Sequence, residues 1–201
     1  MHSIKEFEIA KNALENSQVI SFPTETVMGL GVYYDDEIAY NLLNQIKRRP
    51  EDKPYTLMLG DSNEIQKFAF VSDRDQKIID RFMPGMVTIL LKAKNNVPTY
   101  VTHGTGVIGV RIPNLSEIIE LLNYVKKPLL VPSANRSGEK PCMSSKEVEQ
   151  VFKNELGYIY PGEAIGGVPS TIVDLTGEEV KILREGPISR QEIISAIKGG
   201  N

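Results

Sequence analysis

Residues 104–113, Gly104-Thr105-Gly106-Val107-Ile108-Gly109-Val110-Arg111-Ile112-Pro113, decide between two α/β architectures. Gly104, Gly106 and Gly109 match G-x-G-x-x-G, the fingerprint of a dinucleotide-binding turn. Such a turn must follow a strand and open a helix whose N-terminus meets a pyrophosphate. Here the glycines run instead into residues 107–112, VIGVRI, which are β-branched enough for a strand. The doubly wound dinucleotide fold is therefore rejected, and no G-x-x-x-x-G-K-[ST] phosphate loop replaces it.

Working outward, the pattern alternates helix and strand. Ile4, Phe7, Ala10 and Leu14 are spaced for one helical face, and residues 19–22 read as a short buried strand. The segment 36–46 places Ile38, Leu42 and Ile46 on one face of a second helix that Pro50 stops. Residues 55–60 and 86–92 read as strands, and 63–70, 75–82 and 115–124 as helices. PLLVPS (128–133) is a buried strand ending in polar residues. Ser144 with Glu147, and Ser189 with Glu192, carry the spacing of a capping box at two further helix starts. STIVDLT and EEVKILREG are strands joined by a hairpin turn at Thr176-Gly177. Together these predict one α/β domain over residues 1–201, built on a mixed parallel and antiparallel sheet with flanking helices.

Of the 201 residues, 41% are hydrophobic and 24% charged, as in an ordinary globular protein. The formal charge of −3 argues against a broad basic surface for nucleic acid, while leaving room for a local basic pocket. A single cysteine, Cys142, rules out an internal disulfide and a cysteine-based zinc site, which fits a reducing cytoplasm. His2 and His103 are too far apart in sequence to suggest a metal site. Charges interrupt any signal-peptide core, and no apolar run approaches the roughly 20 residues needed to span a bilayer, so no membrane role is expected.

Polar groups cluster where strands end. SFPTETVMGLG (21–31) packs Thr24, Glu25 and Thr26 between a proline and two glycines, which read as turn residues. Lys47-Arg48-Arg49 closes a helix and, with Lys53, surrounds a rigid turn with four cations that suit phosphate oxygens. Capping of the helix dipole competes with that reading. Ser133 and Asn135 of VPSANRSGEKP follow an apolar strand, where ligands commonly bind in open α/β sheets, although an ordinary Asn turn is an equal alternative. Ser170-Thr171 of GGVPSTIVD repeats the theme.

The ordered set FPTETVMGLG, IKRRPEDKP, MPGMVTILLK, GVRIP, VPSANRSG, GVPSTIVD and LREG resembles the YrdC-like family of threonylcarbamoyl-adenylate synthases over nearly the whole chain. The resemblance implies a twisted sheet around a large concave pocket. It also implies a nucleotidyltransferase that condenses L-threonine, bicarbonate and ATP into threonylcarbamoyl-adenylate and pyrophosphate. That product feeds the transferase machinery that makes threonylcarbamoyladenosine in tRNA. By motif match, Thr24, Lys53, Arg111, Ser133 and Ser170 would contact threonine, and Lys47, Arg49, Asn135, Ser144 and Arg184 would hold ATP. Magnesium is expected with the triphosphate, held by phosphates and water rather than by a protein ligand cluster. Lys47→Ala is expected to impair synthesis without unfolding the chain.

Two positions depart from the family pattern. Met28 stands where many relatives have tyrosine, and Val107 where many have threonine four residues before the arginine. Two other readings compete with the synthase. One is an RNA-binding or translation-associated module that holds tRNA weakly in a basic pocket, and the other is a relative with a different carbamoyl or acyl acceptor.

Overall fold

The computed structural model describes residues 4–48 and 55–198, so Arg49, Lys53 and His2 lie outside the described residues. In chain order the strands are β1 (Ile20–Phe22), β2 (Gly29–Tyr33), β3 (Thr56–Met58), β4 (Val87–Lys92), β5 (Val107–Arg111), β6 (Leu129–Leu130), β7 (Tyr158–Ile159), β8 (Thr171–Asp174) and β9 (Lys181–Arg184). The helices are α1 (Ile4–Glu15), α2 (Glu37–Lys47), α3 (Ile65–Phe68), α4 (Asp73–Phe82), α5 (Thr99–Thr102), α6 (Ser116–Val125), α7 (Ser145–Phe152) and α8 (Arg190–Lys198).

The strands form one sheet in the order β7-β1-β2-β6-β3-β5-β4-β8-β9. β1 with β7, β3 with β5, and β4 with β8 pair in parallel, and the other neighbours are antiparallel. This is the mixed sheet that the interleaved pattern predicts. As expected, Gly104 and Gly106 precede β5 and open no helix, and both adopt positive φ in the loop before that strand.

Side chains of a strand alternate between faces, and here both faces are buried. Leu57 and Leu59 enter one apolar cluster while Met58 enters the other, and Leu130 is likewise separated from Leu129 and Val131. α1 and α6 cover one face with Phe7, Ala10, Leu14, Ile118, Leu121 and Val125. Leu43 and Ile46 of α2, Ile78 and Ile79 of α4, Phe152 of α7 and Ile193 of α8 belong to the cluster on the other. Each such large side chain, when fully buried, contributes roughly 1.5–3 kcal/mol.

Several local expectations change. The buried stripe of α2 is Ala39, Tyr40, Leu43, Ile46 and Lys47, whereas Ile38 is 72% exposed. An i, i+4, i+8 count follows a line that slowly drifts round the helix, and the packed face is the adjoining i, i+3, i+4, i+7 set. The helix expected over 63–70 is a 3-10 turn, Ser62–Glu64, followed by the short α3. Ser189 and Glu192 do exchange both hydrogen bonds of a capping box. Ser144 caps α7 through Glu147 N, but Glu147 Oε2 accepts from Met143 N instead of Ser144 N. The short strands β2 and β7 have no counterpart in the expected pattern.

Gly29 and Gly31, read above as turn residues, lie inside β2. Their reason is close packing. A Cβ on Gly31 would lie 2.7 Å from Phe22 Cε1 and 3.3 Å from Leu129 Cδ1, and one on Gly29 would lie 2.8 Å from Val131 Cγ1. Gly31→Ala is therefore expected to destabilise the fold by about 1–3 kcal/mol, the range for overpacked cores. A lower urea midpoint with an unchanged slope would report it.

Candidate functional site

The loop between β1 and β2 is tied by its own hydroxyls. Thr24 Oγ1 donates to Val27 O at 2.7 Å and accepts from the backbone N–H groups of Thr26 and Val27, both at 3.2 Å. Its hydroxyl also meets that of Thr26 at 2.8 Å. This side-chain turn explains the two threonines. The glutamate between them has a different partner, because Glu25 Oε1 accepts from Arg111 Nη2 at 2.7 Å. The same nitrogen donates to Thr26 Oγ1 at 3.0 Å, so the end of β5 is anchored to this loop.

A second wall comes from β4, β8 and β9. Thr88 and Ser170 hydroxyls lie 2.9 Å apart, and Arg184 donates from Nε to Ser170 O at 2.9 Å and from Nη2 to Ser170 Oγ at 3.3 Å. Thr171 Oγ1 accepts from Gly186 N and Ile188 N and donates to Ile188 O, which fastens the LREG segment beside it. The third wall is the segment after β6. Ala134 N donates to Met28 O, Cys142 N to Ala134 O, and Met28 N to Cys142 O, lacing three loops together.

These walls enclose a cavity of about 220 Å³. Thr24, Thr26, Thr88, Arg111, Ser133, Ser170 and Arg184 give it a polar lining. Met28, Tyr55, Met58, Val131 and Ile172 give it an apolar one. Arg111 and Arg184 share this space, and the Arg184 guanidinium is held below its ordinary value by burial and then by the charge of Arg111. Of these two guanidiniums only Arg111 is paired with a carboxylate among the described residues. The cavity is therefore cationic and rich in hydroxyls, which suits a ligand bearing carboxylate or phosphate.

The cavity gathers Thr24, Arg111, Ser133, Ser170 and Arg184 from the sequence-predicted set. Lys47, Asn135 and Ser144 do not line it. Lys47 is 1% exposed and donates to Ser133 O at 2.6 Å, Asn135 O at 2.8 Å and Asn135 Oδ1 at 3.3 Å. It thus ties the end of α2 to the serine–asparagine loop, while Arg49 and Lys53 of the expected cation cluster lie outside the described residues. Asn135 Oδ1 also accepts from Ser133 Oγ at 2.6 Å, and its Nδ2 donates to Arg136 O and Glu139 O. Ser144 serves as the N-cap of α7.

Thr88, Thr26, Tyr55 and Glu25 carry parts of the site that the sequence reading did not assign. Thr88 had a signal, being the hydroxyl in the otherwise apolar run VTILL. Met28, the departure from the family pattern, is fully buried and forms part of the apolar wall. His103 caps α5 in the left-handed region and meets Tyr40 Oη at 3.2 Å, a packing role outside the cavity. Among the described residues no group of three His, Cys, Asp or Glu could hold a metal ion, and no helix is long and apolar enough to cross a membrane.

A mixed α/β sheet whose strand ends enclose a cationic, hydroxyl-lined cavity defines a class of fold chemically suited to anionic ligands. The Sua5/yciO/yrdC family model, described as telomere recombination, matches residues 12–186. The chain belongs to this Sua5/YciO/YrdC family. A protein of Methanocaldococcus jannaschii named putative threonylcarbamoyl-AMP synthase is 34% identical over 190 residues, covering 94% of this chain and 89% of that one. The crystal structure of Pyrococcus abyssi Sua5 complexed with L-threonine superposes with a TM-score of 0.90 at 31% identity. That match covers 98% of this chain and 59% of the Sua5 chain. E. coli YciO superposes with a TM-score of 0.89 at 25% identity, covering 96% of this chain and 95% of that one.

Two measurements test the roles of buried groups beside the cavity. Lys47→Met leaves Asn135 O without its donor, while Ser133 O keeps Asn135 N and Asn135 Oδ1 keeps Ser133 Oγ. It should lower stability by about 1–3 kcal/mol, read as a urea midpoint, the cost of one orphaned buried acceptor. Burial, then the Glu147 charge, pushes the Cys142 thiol up, so its thiolate is scarcer than in a free cysteine at neutral pH. Alkylation of the native protein by iodoacetamide should run about tenfold or more slower than that of free cysteine.

Proposed function

We propose that this chain is an enzyme that forms threonylcarbamoyl-AMP and pyrophosphate from L-threonine, bicarbonate and ATP, a nucleotidyl transfer. The observation that carries the reading is the pair of guanidiniums, Arg111 and Arg184, in one hydroxyl-lined cavity. Support comes from relatives named for this reaction and from the bound L-threonine of the Sua5 structure. The product would pass to a transferase that modifies tRNA, and the cytoplasm is the compartment where all the reactants meet.

In this reading the Arg111 guanidinium donates to the amino-acid carboxylate, and Thr24, Ser133 and Ser170, with Lys53, complete the threonine contacts. The threonine amine attacks the carbon of bicarbonate or carbon dioxide to give a carbamate, with loss of water in the first case. A carbamate oxygen then attacks the α-phosphorus of ATP, and pyrophosphate leaves. Arg184, with Arg49, offsets charge on the transferring phosphoryl group. Lys47 and Asn135 contribute to ATP binding by shaping the serine–asparagine loop, and Ser144 by fixing the start of α7. Magnesium would arrive with the triphosphate and lower its charge, its ligands being phosphates and water. No residue forms a covalent intermediate. Alignment of three reactants supplies the acceleration, up to about 7–11 kcal/mol in well-oriented systems.

Incubation with ATP, magnesium, bicarbonate and single amino acids, followed by pyrophosphate measurement, tests this. Release should require both L-threonine and bicarbonate, and release that needs neither overturns the reading. Equal release with another amino acid points to a different acceptor. Salt-sensitive tRNA binding without pyrophosphate favours an RNA-binding module. Arg111→Lys should lower kcat/KM for threonine by about 100-fold, because a single ammonium cannot hold Glu25 and Thr26 with one nitrogen and offer another to the carboxylate.

A further inference from the structure

We propose that Glu25 is a positioning residue for substrate, holding Arg111 by one nitrogen so that the rest of its guanidinium meets the amino-acid carboxylate. The proposal rests on the threonine-dependent reading above. Glu25 does not line the cavity, and Arg111 does. Their side chains are 7% and 8% exposed.

The division of labour within the guanidinium is visible atom by atom. Nη2 carries two hydrogens, and Glu25 Oε1 and Thr26 Oγ1 accept from it at 2.7 and 3.0 Å. That nitrogen is therefore saturated by protein. Nε is buried without a hydrogen-bond partner, and Nη1 has none among the described residues. Glu25 Oε2 is also buried without a partner. A pair serving stability alone would close its second bond, since buried charged groups left half-satisfied are costly. Here Nη2 is fastened, Nε is closed off by burial, and Nη1 with its two hydrogens is left for a ligand.

Charge requires the same arrangement. Arg184 lies close enough for its guanidinium to feel the Arg111 charge. An unfastened Arg111, on a long flexible side chain, would turn away from that like charge. Glu25 opposes this, while one carboxylate against two guanidiniums leaves the cavity cationic. A guanidinium fixed before binding does not have to be ordered by substrate.

The test compares wild type, Glu25→Gln and Glu25→Asp with L-threonine and with L-threoninol, which lacks the carboxylate. Glu25→Gln should raise KM for threonine about tenfold or more while KM for ATP stays within about twofold, a split that general loosening would not produce. Its preference for threonine over threoninol should shrink, and Glu25→Asp should recover part of both losses. An unchanged or lowered threonine KM in a Gln variant with a normal thermal transition overturns the proposal, as does an equal rise for threonine and ATP. If Glu25→Gln does not fold, Glu25→Asp carries the test, because it keeps the charge and withdraws it from Arg111 Nη2. It should give a smaller rise in threonine KM with ATP KM within about twofold, and no rise overturns the proposal. Wild-type protein that releases no pyrophosphate with threonine and bicarbonate overturns the underlying reading. Active wild type with variants that match it removes only the role of Glu25.

Discussion

The buried contact of Arg111 with Glu25 and Thr26 joins positions separated by 86 and 85 residues. In the sheet, β6 and β3 lie between β2 and β5, so the loop after β1 must reach across the ends of two strands to meet Arg111. Taking two charges out of water is costly, and the cost is recovered only where geometry is firmly held. Much of the surrounding structure supplies that firmness. Thr24 ties the loop to itself, Gly167 N donates to Thr26 O, and Met28 is bonded to both Cys142 and Ala134. Gly29 and Gly31 let β2 pack directly on Phe22, Leu129 and Val131, which fixes where the loop begins and ends.

From that anchoring follows the character of the site. Its polar side is guanidinium and hydroxyl, and its other side is methionine, valine and isoleucine. Among the described residues, histidine and thiol, the usual acid–base and nucleophilic groups, do not line it. Such a cavity is equipped to orient anionic reactants and to balance their charge, and has little with which to form covalent bonds. Lys47 belongs to the same design one layer deeper, where its ammonium group gathers carbonyls of the serine–asparagine loop.

Much of the fold was legible in sequence because strands and long amphipathic helices advertise themselves by periodicity. The run VIGVRI became β5, and the glycines before it excluded a dinucleotide fold on context alone. Short elements were harder. β2 is GLGVY, whose glycines resemble a turn, and β7 is two residues long, too brief for any period. In α2 the apolar positions were recognised while the buried face was displaced, since Ile38 and Ala39 differ by only 100° around the helix and packing alone chooses between them.

For the site, the sequence by itself determined that Ser133 and Ser170 stand beside apolar strands, and the family resemblance of its motifs made Thr24, Arg111 and Arg184 candidates with them. Tertiary structure decided what each does. It made Lys47 a buried tether and brought Thr88 against Ser170. It also gave Glu25 its partner. Local periodicity and turn chemistry act over a few residues and are written in the chain. A contact across 86 positions exists only because a nine-stranded sheet places two loops side by side, and no spacing along the chain encodes that distance.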